Sequence, residues 1–97
     1  MTIRRKTGTD IHLKIRGLIE QLGFLYIEEY NLPPYRLDFW LPEISIGIEA
    51  DSIYWHSERK DRARDEFIDG IYRVKIIRCG YKTKLEDLRQ MIEDSCK

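Results

Sequence analysis

Residues 36–56 read Arg36-Leu37-Asp38-Phe39-Trp40-Leu41-Pro42-Glu43-Ile44-Ser45-Ile46-Gly47-Ile48-Glu49-Ala50-Asp51-Ser52-Ile53-Tyr54-Trp55-His56. The alternation inside this stretch decides the fold. Leu37, Phe39 and Leu41 fall on one side of an extended segment, with Arg36, Asp38 and Trp40 on the other. After Pro42-Glu43 the pattern repeats, with Ile44, Ile46 and Ile48 on a core face and Ser45, Gly47 and Glu49 opposite. A period of two on both sides of a break predicts a hairpin of Arg36–Leu41 and Ile44–Ala50. A two-residue turn at Pro42-Glu43 sets Leu41 against Ile44 and Asp38 against Gly47. Glu49 is then the diagonal neighbour of Asp38, with Cβ atoms about 7–8 Å apart. Asp51 keeps the same parity if the strand continues.

Working outward, residues 9–22 carry Ile11, Ile15, Leu18, Ile19 and Leu22 at helical spacing, with Thr9 as a cap and Gly23 as a stop. Phe24–Glu29 is rich in β-formers and reads as a short strand, broken by Asn31-Leu32-Pro33-Pro34. Ser57–Asp69 is charge-dense, with Ala63, Phe67 and Ile68 spaced for a helix that Gly70 ends. Tyr72–Arg78 predicts a fourth strand. Thr83-Lys84-Leu85-Glu86 is a capping box that opens a C-terminal helix over about 84–95. The order α-β-β-β-α-β-α implies an α/β class, with a mixed sheet flanked by helices.

The chain has 97 residues, enough for a single domain over 1–97. Seventeen basic and seventeen acidic residues cancel, which excludes a polybasic coat. The cancellation is global and not local. Residues 1–16 sum to +4, residues 28–51 to −5 and residues 71–84 to +5, so an acidic middle lies between basic flanks. That pattern suits cations held centrally while Lys and Arg meet phosphates around them; ordinary surface clustering explains it about as well. No apolar run approaches a membrane span, and no apolar stretch follows Arg4, Arg5 and Lys6, so neither a membrane anchor nor a signal peptide is expected. Cys79 and Cys96 form no CxxC pair and no zinc-finger set with His12 and His56. A reducing, cytoplasmic setting is expected.

Three carboxylates on one strand face repel one another unless a cation joins them. Mg²⁺ prefers oxygen ligands and keeps several waters. A metal-acidified water can attack phosphorus while the ion stabilises the phosphate oxygens. Exposed acids on a solvated hairpin are the ordinary alternative. Gly47, set opposite Asp38 by the two-residue turn, would leave room for the ion.

At these residues the chain resembles the PD-(D/E)XK nuclease superfamily, and within it the small branch of very-short-patch-repair (mismatch-nicking) endonucleases and their relatives. The resemblance rests on Asp38, Glu49-Ala50-Asp51 and His56, and on Gly70-Ile71-Tyr72-Arg73-Val74 leading into the last strand. It covers about residues 9–80. It implies a restriction-endonuclease-like αβββαβ core with an extra C-terminal helix. It also implies metal held by Asp38, Glu49 and the backbone carbonyl of Ala50, with Mg²⁺ as the ion and Mn²⁺ as a substitute. Asp51 stands where the superfamily has a lysine, so charge stabilisation falls to His56 or Lys60. The first-helix position that often carries a Glu near the metal is His12.

The reading is therefore a Mg²⁺-dependent endonuclease that hydrolyses DNA phosphodiester bonds, on a mismatch, branch or junction or as a nickase. Asp38, Glu49 and Asp51 form the acid set, and His56 relays a proton. Tyr54 and Trp55 are placed to stack on bases, with core packing as their alternative. Arg59, Lys60, Arg62 and Arg64 can bind phosphates or pair with Asp61, Asp65 and Glu66. One site nicks; a symmetric homodimer could cut both strands. The alternative is a catalytically inactive nuclease fold kept as a nucleic-acid-binding subunit.

Overall fold

The computed structural model describes residues 6–50 and 58–96. The elements run α1 (Lys6–Leu22), β1 (Ile27–Leu32), β2 (Tyr35–Leu41), β3 (Ile46–Ala50), α2 (Glu58–Tyr72), β4 (Lys75–Cys79) and α3 (Leu85–Ser95). The predicted order holds. The four strands lie side by side in the order β1-β2-β3-β4. The first two junctions are antiparallel, and β4 runs parallel to β3 after the α2 crossover. Among the described residues no helix is long and apolar enough to cross a membrane.

Helices α1 and α3 cover one face of the sheet. Ile11, Ile15, Leu18 and Ile19 of α1 and Leu88 and Ile92 of α3 close on Phe39, Leu41, Ile46, Ile48, Ile77 and Cys79. On the other face, Ile68 of α2 packs with Leu32, Leu37 and Val74, bordered by Tyr30, Tyr35, Trp40, Tyr72 and Ile76. The uniform side assigned to Leu37, Phe39 and Leu41 is thus corrected. Leu37 belongs to the α2 face, and Phe39 and Leu41 belong to the opposite one. The strand changes sides at Asp38. Its neighbour in β1, Glu29, sits in the left-handed region at φ 53°, and the ladder skips from Glu28↔Phe39 to Tyr30↔Leu37.

Helix α1 begins at Lys6, so Thr9 lies within it rather than capping it. Gly23 ends it as expected: at φ 83° its N–H meets Glu20 O at 3.0 Å, and Phe24 N–H meets Ile19 O at 3.4 Å. This pair of bonds is the left-handed C-terminal motif that glycine favours. Strand β1 starts later than predicted and continues through Leu32, because Pro33-Pro34 is itself the hairpin turn that pairs Leu32 with Tyr35.

The second hairpin departs from the sequence reading in register. Leu41 pairs with Ile46, Trp40 with Gly47 and Phe39 with Ile48, so the turn has four residues, Pro42–Ser45. Types I′ and II′, the common two-residue hairpin turns, need positive φ at their first central residue, which proline's ring forbids; the Pro33-Pro34 turn, whose peptide bond is cis, is of neither type. The chain instead closes Ile44 N–H onto Leu41 O at 3.3 Å and places Ser45 at φ 56°.

Helix α2 runs through Gly70 and stops at Arg73, at φ 60°, whose N–H meets Asp69 O at 3.0 Å. Ser45 Oγ donates to Arg73 O at 2.8 Å, and Lys75 N–H donates to Ser45 O at 3.3 Å. The two left-handed residues thereby lock the hairpin turn to the start of β4, which is shorter than the predicted strand. At α3 the capping pair is shifted by one residue: Asp87 accepts from Lys84 N–H at 2.9 Å, while Thr83 Oγ1 accepts from Gly80 N–H.

Candidate active site

The corrected register brings the two principal acids closer than the sequence reading allowed. Continuing the β2–β3 pairing by one step sets Asp38 directly opposite Glu49. Each bonds to the backbone of the strand that carries the other. Glu49 Oε2 accepts from Asp38 N–H at 3.0 Å, and Asp38 Oδ2 accepts from Ala50 N–H at 2.8 Å. Each carboxylate is therefore aimed by the strand that carries the other. Gly47 lies opposite Trp40 instead of Asp38. A Cβ there would lie 2.7 Å from Leu37 Cδ1 and 3.1 Å from Ile76 Cδ1. The glycine thus makes room for packing on the α2 face rather than for an ion, which corrects that expectation.

Glu49 is poorly solvated, with a side chain only 12% exposed. Burial, and next the negative charge of Asp38, push its pKa up to about 7. Three features oppose the shift: the Arg64 guanidinium, the Asp38 N–H bond and the Arg78 charge. Arg64 Nη2 lies 3.3 Å from Glu49 Oε1, and Arg78 sits beside Glu49 in the parallel register. The network continues outward, with Arg64 at 3.6 Å from Asp65 and Arg78 at 2.8 Å from Asp65 and 3.8 Å from Asp61. Phosphate contact or pairing with acids on its own helix were the options for Arg64. Its contact with Glu49 was in neither.

On the other side of Asp38 lies His12. One ligand atom each from His12, Glu29 and Asp38 fall within 4.8 Å of one another. His12 stacks, tilted, on Phe39 with centroids 4.4 Å apart, and its Nε2–H donates to Glu28 Oε1 at 2.8 Å. Glu28 is in turn held by Arg16 at 3.4 Å, and its pKa is lowered first by the His12 bond. With Nε2 engaged, the remaining donor of the ring is Nδ1. A histidine whose far nitrogen is fixed by a carboxylate is oriented as metal-binding histidines are. The donor set, one imidazole and two or three carboxylates around Asp38, therefore fits a divalent ion. His12 was anticipated as a supporting residue. Glu29 was not, because only its left-handed backbone turns it toward Asp38.

No family model matches the sequence, and no curated protein matches it. The structure superposes on the homing endonuclease I-Bth0305I catalytic domain with a TM-score of 0.62 over 88% of each chain, at 13% sequence identity. The fold is restriction-endonuclease-like. In this endonuclease-like fold, Asp38 in the middle of β2 faces Glu49 near the end of β3. Of the other predicted residues, Ala50 closes β3 and donates its N–H to Asp38. Asp51, Tyr54, Trp55 and His56 lie outside the described residues, as do the side chains of Arg59 and Lys60. Several cations of the basic flanks are paired: Arg16 with Glu28, Lys75 with Asp69, and Arg78 with Asp65.

Proposed function

We propose that this chain is a metal-dependent DNA endonuclease that nicks or cuts structured DNA. The observation that carries the reading is the reciprocal Asp38–Glu49 pair on an endonuclease-like fold. Two carboxylates are held together, one of them in a site that disfavours its charge, and a divalent ion there offsets that cost. Asp38 is the common ligand, with Glu49 on one side and His12 and Glu29 on the other. The Ala50 carbonyl and Asp51 are proposed to complete the set. When bound, the ion supplies an acidified water and positive charge against the phosphate. The chain's own part is to aim the carboxylates through backbone bonds and to hold His12 through Glu28. His56 is proposed to give a proton to the leaving oxygen, and Tyr54 and Trp55 to stack on displaced bases.

The described helices and strands are taken up by the sheet and its cover, which leaves few of them to read a long sequence in the grooves. A mismatch, branch or junction, recognised by shape and deformability, is the substrate class it suits. Incubating the protein with perfect, mismatched and branched duplexes, with and without Mg²⁺ or Mn²⁺, tests the reading directly. Cleavage should require the ion. Asp38→Asn should lower it by at least about 10²–10³-fold, the cost of removing one electrostatic stabiliser, and leave DNA binding in place, because Asn still accepts from Ala50 N–H. Full activity in that variant would refute the assignment of Asp38. A protein that binds DNA but neither holds Mn²⁺ by calorimetry nor cuts would be the inactive binding subunit instead.

A further inference from the structure

We infer that Arg64 is the charge-stabilising residue of this site, a built-in guanidinium that contacts the scissile phosphate once an ion engages Glu49. The inference rests on the endonuclease reading and deepens it. Arg64 projects from α2, and its side chain is 17% exposed. Its guanidinium has two anchors that do not depend on Glu49. Nη2 donates to the Arg36 backbone carbonyl at 2.9 Å, and the group lies over the Tyr35 ring at 5.3 Å from its centroid. Tyr35 is itself braced edge-on by Phe67, with ring centroids 5.7 Å apart. A carbonyl and an aromatic face keep the cation in place whichever partner the carboxylate takes.

The remaining contacts are looser. Nη2 reaches Glu49 Oε1 at 3.3 Å, and Nη1 reaches Asp65 Oδ1 only at 3.6 Å. Nε has no partner among the described residues, so the fork retains donor capacity. A guanidinium held rigidly with donors to spare suits an oxyanion better than it suits a closed structural ion pair.

Distance supports the same conclusion. A divalent ion sits about 2.0–2.6 Å from a carboxylate oxygen, so an ion on Glu49 Oε1 lies within about 6 Å of Nη2. A non-bridging phosphate oxygen held by such an ion would have the guanidinium donors within reach, and its charge would offset the repulsion between the two cations. Attack on phosphorus concentrates charge on those oxygens, and a preplaced donor is worth most where that charge develops. In the free protein the same guanidinium offsets the charge that Glu49 and Asp38 place side by side.

Arg64→Gln and Arg64→Lys test this. Three quantities are needed for each variant and for wild type: Mn²⁺ affinity by calorimetry, urea midpoint, and single-turnover cleavage of a branched duplex at saturating Mn²⁺. For Arg64→Gln, cleavage should fall about 10²–10³-fold while Mn²⁺ affinity holds or tightens, because a nearby positive charge has gone. Arg64→Lys keeps the charge without the fork and should retain cleavage within about tenfold of wild type. Wild-type cleavage in Arg64→Gln would overturn the inference. So would a loss of Mn²⁺ affinity as large as the loss of rate, which would make Arg64 only a positioning residue for Glu49. If the Gln variant does not fold, the Lys variant decides: retained cleavage supports the role, and complete loss in a folded protein overturns it. A wild-type protein that neither binds Mn²⁺ nor cuts DNA defeats the endonuclease reading itself, whereas an active wild type with an equally active Gln variant defeats only the role of Arg64.

Discussion

The two faces of the sheet do different work. Among the described residues, twelve buried side chains form one continuous apolar cluster under α1 and α3. Under α2 four do, and beyond them the same face turns to Glu49, Arg64, Asp65 and Arg78. The buried cluster of the first face consists of Ile, Leu, Phe and Cys79, with no buried charged group among the described residues, and it can supply most of the hydrophobic stabilisation. The second gives up part of that burial to hold charges close together at low exposure. The difference puts most of the apolar packing on one side of the strands and the Glu49–Arg64 network on the other, with Asp38 at the point where β2 passes between them and His12 of α1 reaching it from the first side.

The sharpest way to break this division is to remove Phe39. It is fully buried against α1, and Phe39→Ala should cost about 3–5 kcal/mol of stability. Whatever fraction remains folded should keep its Mn²⁺ affinity to within about tenfold, the share of His12, which loses the ring it stacks on. A urea midpoint that barely moves, or metal affinity lost well before the fold, would show that the two faces are not separable.

A subtler test uses pH. Glu49 titrates near 7 in the fold against an ordinary 4.5, so folding favours its protonated form. That contribution is fully present below about pH 4.5 and is lost as pH rises to about 7, above which the fold carries the whole cost of the buried charge. In chelator, Glu49→Gln should therefore match wild type near pH 4 and exceed it near pH 8 by about 1–3 kcal/mol. Denaturation at both pH values reads the difference directly. Equal midpoints at pH 8 would mean that Arg64 and Arg78 already offset the charge in full.

Gly47→Ala probes the apolar end of the α2 face. The added methyl meets Leu37, and overpacking of this kind costs about 1–3 kcal/mol. Mn²⁺ affinity should be unchanged, because Gly47 no longer faces Asp38. A change in metal affinity without a change in midpoint would revive an ion site at this glycine. The smallest effect should come from His12→Gln, which removes an imidazole but leaves Asp38 and Glu49. Metal affinity should fall about tenfold, with a greater loss for Mn²⁺ than for Mg²⁺ because nitrogen ligands favour the transition metal. An identical loss for both ions would place His12 outside the coordination sphere.

Most of the fold was legible because it rests on periodicity. Ile11 to Leu22 marks a helical stripe, and Ile46 and Ile48 mark a half-buried strand, whatever the rest of the chain does. The register was not legible, because it depends on one torsion: Pro42 cannot start a type I′ or II′ turn, and the four-residue turn moved every partner by two positions. That shift turned a diagonal acid pair into a facing one. The side switch at Asp38 was hidden for a related reason, since a left-handed Glu29 leaves no mark in an alternation pattern. Arg64 was visible as one of four cations on a helix, but spacing along α2 cannot say which of them meets a carboxylate on β3. His12 could be placed near the site only through the resemblance, whose first-helix position near the metal it occupies. Its hold on Glu28 is tertiary and was not visible.

The left-handed turn at Glu29 has a consequence apart from the chemistry. β1 is an outer strand of the sheet, and an outer strand with regular backbone groups invites a second molecule to add to it. Glu29 interrupts that regularity in mid-strand. A neighbouring copy approaching edge to edge would meet a broken row of donors and acceptors. The irregularity that supplies a carboxylate beside Asp38 therefore also guards the protein against aggregation through its open edge, and straightening it would expose both functions to loss at once.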